Sequence, residues 1–105
     1  MNEVLLLEDD PEQRELGEEL LEMKTGIEVD TKASIEEVEH WDYGLAITDH
    51  SGVDVETVYD NIDNVIVYTG FSEDSLDLPE YAQYVGKGGY DELADEVQRQ
   101  LEAPL

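Results

Sequence analysis

Cysteine is absent from this chain and cations are scarce: 5 Lys and Arg stand against 29 Asp and Glu, a formal net charge of −24 at pH 7. Without cysteine there is no disulfide framework, thiol nucleophile or zinc–thiolate site. Five bases cannot build the surface that phosphate neutralisation requires, which argues against nucleic acid as a partner. No apolar run approaches the roughly 18 residues of a membrane span, and the N-terminus opens on a strand-like segment instead of a signal peptide. The expectation is a soluble, cytoplasmic protein without a membrane partner. At 105 residues one domain is expected over positions 1–105, with no separate output domain.

Excess charge of one sign is a signature of disorder, but 40% of the residues are hydrophobic and they recur periodically, which favours a packed core. The acids are spread along the chain instead of gathered in a tail. A chain so charged repels itself at low ionic strength, and at about 1 M salt the Debye length falls to roughly 3 Å and the repulsion is screened. The acidity therefore reads as adaptation to a salty cytoplasm, that of a halophile.

Strand and helix patterns alternate without repeats, low-complexity tracts or linkers. Residues 3–7 read as a buried strand, and Asp10-Pro11-Glu12-Gln13 opens a helix with an acidic N-cap, proline at the first helical position and a capping-box partner. Leu16, Leu20 and Met23 follow on one helical face, and Lys24-Thr25-Gly26 stops the helix. Residues 26–30 predict a second strand, with Ile27 and Val29 inward. Ser34-Ile35-Glu36-Glu37 predicts a capping box opening a short helix that ends near His40. Strands are expected at 43–48, 64–68 and 81–86. Between them fall a short helix using Val55, Val58 and Ile62, then a stunted one at 72–76 interrupted by Pro79. A final amphipathic helix at 91–101 carries Leu93, Val97 and Leu101 at i, i+4 and i+8. Five strands alternating with five helices imply right-handed crossovers and a sheet covered on both faces.

Four of the apolar runs end on polar residues suited to one site: Glu8 and Asp9 after the first, Thr48 and Asp49 after the third, Thr69 after the fourth, and Lys87 across Gly86 after the fifth. In an open parallel sheet ligands bind beyond the carboxyl ends of the strands, so residues distant in sequence can meet there. Lys87 carries weight because the other bases, Arg14, Lys24, Lys32 and Arg99, fall on predicted helix or loop surfaces. Asp10 reads as a helix cap, and His40, His50 and Trp41 as loop or packing residues.

The chain resembles the receiver domain of two-component response regulators. The resemblance rests on V-L-L-L-E-D-D-P at 4–11, L-A-I-T-D at 45–49, V-I-V-Y-T-G at 65–70 and Y-V-G-K at 84–87, which span nearly the whole chain in order. It implies a flavodoxin-like αβα sandwich with a five-stranded parallel sheet of order 2-1-3-4-5, its third and fourth helices shortened here. By the same resemblance Asp49 is the phosphoacceptor, Glu8 and Asp9 with Asp49 and the Ser51 backbone carbonyl hold Mg2+, Thr69 and Lys87 bind the phosphoryl group, and Thr69 and Tyr84 form a switch. The implied partners are a histidine kinase or histidine phosphotransfer protein and a downstream protein. The resemblance further implies a signalling phosphoacceptor that catalyses only its own phosphorylation and dephosphorylation, not a metabolic enzyme.

The chemistry of the residues agrees with that set. A carboxylate attacking an anionic phosphodonor needs its charge offset, and Mg2+ favours a few oxygen ligands plus waters over an enclosed cage. Without a cation, Glu8, Asp9 and Asp49 would crowd like charges and one would resist ionisation. A flavin-binding flavodoxin would need a Gly- and Ser/Thr-rich phosphate cradle where Glu8-Asp9-Asp10 stands. An aspartate-nucleophile phosphatase would alternate its acids and carry a cap domain. The chain departs from the receiver pattern at Gly88, where a proline usually follows the lysine, and in the short intervals of 20 residues from Asp49 to Thr69 and 18 from Thr69 to Lys87. The alternative is a degenerate receiver that works as a constitutive protein-interaction module.

Overall fold

The computed structural model describes residues 4–48, 55–70, 83–86 and 90–101. Its element order is β1 (Val4–Leu7), α1 (Pro11–Thr25), β2 (Val29–Lys32), a single 3-10 turn (Ile35–Glu37), β3 (Leu45–Thr48), α2 (Val55–Asn61), β4 (Val65–Thr69), β5 (Gln83–Gly86) and α3 (Tyr90–Leu101). All paired strands run parallel, in the order β2-β1-β3-β4-β5. This is the expected flavodoxin-like sheet. Parallel strands are buried on both faces and so read as continuous apolar runs, which is what VLLL, LAIT and VIVYT do: every residue of β1, β3 and β4 is buried.

Side-chain alternation splits the interior into two cores. Val4, Leu6, Leu45, Ile47, Ile66, Tyr68 and Val85 pack with Leu21 of α1 and with Leu93, Ala94 and Val97 of α3. Leu5, Leu7, Ala46, Val65 and Val67 pack on the opposite face with Val58 of α2, Ile62 and Tyr43. Each fully buried aliphatic side chain stabilises the fold by about 1.5–3 kcal/mol, so both faces of the sheet contribute.

The start and stop signals of α1 act as expected. The Asp10 carboxylate accepts the Glu12 N–H at 3.0 Å with Pro11 opening the helix, and Gly26, at φ 70°, donates its N–H to the Glu22 carbonyl. That left-handed cap favours glycine. The capping box itself is not completed, because the Asp10 N–H is taken by the Glu8 carboxylate and Gln13 accepts from Tyr90 Oη.

Four other expectations are corrected. Leu16, Leu20 and Met23 do not form the buried face of α1: Leu16 is 43% and Met23 72% exposed, whereas Gly17 and Leu21 face the sheet. The helix comes close at Gly17, where a β-carbon would stand 2.9 Å from Leu6 Cδ2, so the contact line runs through 17 and 21 and leaves 16, 20 and 23 on the flank. The helix expected from Ser34 to His40 is one 3-10 turn, and Val38 leaves it with extended backbone. Ile35 and Val38 eclipse at that i, i+3 spacing and both pack against the second core, so a single turn suffices. Strand β2 begins at Val29, not at 26, because Gly26 is occupied in capping α1, although Ile27 still packs against the first core. Strand β3 begins at Leu45, with Tyr43 ahead of it donating its hydroxyl to the Asp30 carboxylate. The short α2 and the amphipathic α3 agree with the sequence reading, with Val58, Leu93 and Val97 buried; the expected helix at 72–76 lies outside the described residues.

Candidate functional site at the carboxyl edge of the sheet

Register brings the strand ends into line. Leu7 pairs with Lys32 on one side and Thr48 on the other, Thr48 with Val67, and Thr69 with Gly86. Strands β1 and β3 therefore end at the same level, and Glu8 and Asp9 follow β1 there. Asp49, Ser51 and Lys87 lie outside the described residues; Glu8, Asp9, Thr69 and Tyr84 lie within them.

Glu8 is 9% exposed, and hydrogen bonds from both its main chain and its side chain hold it. Its N–H donates to the Lys32 carbonyl at 3.1 Å, its carboxylate accepts the Asp10 N–H at 3.2 Å, and its carbonyl accepts from Arg14 Nη1 at 2.8 Å. Asp9, next in the chain, is exposed. Asp10 is spent on the cap of α1, as its sequence context indicated. Among the described residues no three acidic or histidine side chains gather into a metal-holding group. Glu8 and Asp9 nevertheless supply oxygen donors only, on a pinned main chain, which fits the chemistry of a partly hydrated Mg2+.

Arg14 is the residue that the sequence reading misplaced. Helical side chains lean toward the helix N-terminus, so an arginine in the first turn of α1 reaches back to the loop before it; that geometric signal was available in the spacing. Lys24 pairs with Asp91 and Arg99 with Glu96, while Lys32 ends β2 beside Glu8.

Thr69 is 1% exposed and Thr48 fully buried. Alternation puts Thr69, Tyr84 and Gly86 on the face that carries the second core. The Tyr84 hydroxyl stands 3.2 Å from where a Gly86 β-carbon would be. The tyrosine thus fills the volume that a side chain at 86, paired with Thr69, would otherwise take. His40 stacks on Tyr43 with ring centroids 5.1 Å apart and Trp41 packs at the second core, consistent with packing roles.

Among the described residues, carboxyl groups on α1 and α3 depart from their ordinary values. The Glu18 carboxyl is raised by burial, then by Glu22, Asp30 and Glu15 around it; Glu15, Glu18, Glu19 and Glu22 line a depression on α1. Glu96 is lowered chiefly by its hydrogen bond from Arg99, whose own value is raised by the same partner. Among the described residues no helix is long and apolar enough to cross a membrane.

No protein-family model matches the sequence, and no curated protein matches it significantly. Solved structures do. A putative pilus assembly-related protein from Burkholderia pseudomallei K96243 superposes with a TM-score of 0.72 at 12% identity, covering 100% of this chain and 92% of that one. A CheY-like response regulator receiver domain protein from Methanospirillum hungatei JF-1 superposes with a TM-score of 0.69 at 18% identity, covering 99% of each. Strand order, register and these likenesses agree that the chain has the flavodoxin-like fold of response-regulator receiver domains.

Proposed function

We propose that this chain is a phosphoacceptor receiver, taking a phosphoryl group from a histidine kinase or histidine phosphotransfer protein onto Asp49 and signalling to a downstream protein by contact. The observation that carries the reading is the common level at which β1 and β3 end, with Leu7 beside Thr48 and the pinned Glu8 directly after β1. A carboxylate oxygen of Asp49 attacks phosphorus, the phosphorus–nitrogen bond of the donor histidine breaks, and its electron pair stays with the imidazole. Glu8, Asp9, Asp49 and the Ser51 carbonyl would hold Mg2+, which when bound offsets the charge on the transferring group. Thr69 and Lys87 bind the phosphoryl oxygens left exposed. Tyr84, on the same face as Thr69, reports the state of the site to the surface. The net charge of −24 fits a halophilic, cytoplasmic setting.

The second reading, a constitutive interaction module without phosphoryl chemistry, is supported by Gly88 in place of the proline that usually follows the lysine. Intact-mass measurement after incubation with a small-molecule phosphodonor and Mg2+ separates the two. One added phosphoryl group is expected on the natural chain and none on Asp49→Asn, which keeps the shape and removes the nucleophile. Undiminished phosphorylation of the variant overturns the site, and no phosphorylation of either favours the module.

A further inference from the structure

We propose that Arg14 is a positioning residue for the Mg2+ site: its guanidinium clamps the main chain of Glu8 and thereby fixes the carboxylates that follow β1. The inference rests on the receiver reading above and concerns a residue which that reading does not use. Arg14 Nη1 donates to the Glu8 carbonyl at 2.8 Å, while the Arg14 backbone N–H donates to the Asp10 carbonyl at 2.9 Å. The side chain and main chain of one residue thus grip both ends of the segment 8–10. The Asp10 N–H in turn holds the Glu8 carboxylate at 3.2 Å, which closes a network of three residues around the acidic pair. Arg14 is half-buried, so its hold is less diluted by water than that of a surface arginine.

Charge and geometry act in opposite directions here. A guanidinium held at the Glu8 main chain repels a dication bound nearby, so by charge alone its removal strengthens metal binding. A clamp that orders the ligands does the reverse, because outer groups that orient metal-binding residues typically contribute 10–100-fold to affinity. The sign of the change therefore separates the two effects.

The test is a magnesium chloride titration of the whole chain followed by amide NMR at Glu8, Asp9 and Asp10. About 1 M potassium chloride screens nonspecific attraction of a dication to so acidic a protein. Arg14→Met is expected to bind Mg2+ about tenfold more weakly despite losing a positive charge, and its metal-free spectrum should change at 8–10 while α3 is undisturbed. Arg14→Lys, which keeps a donor, should recover part of the affinity. Equal or tighter binding by folded Arg14→Met overturns the positioning role while leaving the receiver reading intact. A natural chain that shows no saturable shift at 8–10 overturns the metal site itself and this inference with it. Should Arg14→Met fail to fold, Arg14→Gln, uncharged and too short to reach the Glu8 carbonyl, decides by the same criterion.

Discussion

Replacing Gly17 with alanine sets two effects of similar size against each other. Alanine in a helix interior is favoured over glycine by about 0.8–1.0 kcal/mol, and Gly17 sits inside α1. The added methyl would stand 2.9 Å from Leu6 Cδ2, with Tyr90 Cε1 and its hydroxyl oxygen each 3.5 Å away. Leu6 is 5% exposed and belongs to the first core, so its side chain can yield only by pressing on packed neighbours. Overpacking of this kind typically costs 1–3 kcal/mol. Subtracting the helix gain leaves a net loss of about 1 kcal/mol, which in a domain of this size lowers Tm by roughly 4–8 °C. Thermal unfolding monitored by circular dichroism should show that drop with the helical signal retained. In a Leu6→Val background the methyl has room, so Gly17→Ala should become neutral or stabilising there, a coupling that a double-mutant cycle reads directly. A Gly17→Ala variant more stable than the parent, or one equally destabilised in both backgrounds, would refute the steric argument.

The Glu18 carboxyl is raised above its ordinary value of 4.5 by burial and neighbouring acids, so the folded state holds that proton more tightly than the unfolded chain. The associated stability is complete below the ordinary value and lost as pH rises through the folded one; Glu18→Gln should raise Tm at about pH 7 and lose its advantage below about pH 4, as parallel melts at the two pH values would show. The net charge of −24 gives a second outcome: Tm should rise between about 0.1 and 2 M potassium chloride, first by screening and then through salt effects on burial and hydration. A flat or falling Tm would count against it.

Much of the fold was legible because parallel strands declare themselves without periodicity. VLLL, LAIT and VIVYT are apolar up to the threonines that end the last two, and their order, spacing and polar ends suffice to indicate the sheet and its carboxyl edge. The packing of α1 was not legible. Its contact with the sheet is made at a glycine, which carries no hydrophobic signal, while Leu16 and Met23 carry a strong one and stay exposed. Arg14 escaped for a related reason: composition marks an arginine on a helix as solvated, and only the backward lean of the side chain brings it to the Glu8 carbonyl. Strand starts shifted where a neighbouring task claimed the residue, as Gly26 shows by capping α1 before β2 can pair. The 3-10 turn at Ile35–Glu37 shows a local signal overruled by packing, since two apolar residues three apart satisfy the second core in one turn.

The sheet is also a partition. Thr69, Tyr84 and Gly86 belong by alternation to the side of the second core, while α1 and α3 lie across the strands on the first. A rearrangement starting at Thr69 would meet Val67 and the α2 side before anything on the α1 side, which the sheet itself separates from it. The exposed flank of α1, with Leu16 and Met23, can therefore change its sequence freely without retuning the interior beside Thr69. A fold divided in this way lets the surface of one helix drift toward new company while the machinery behind the opposite wall keeps its setting.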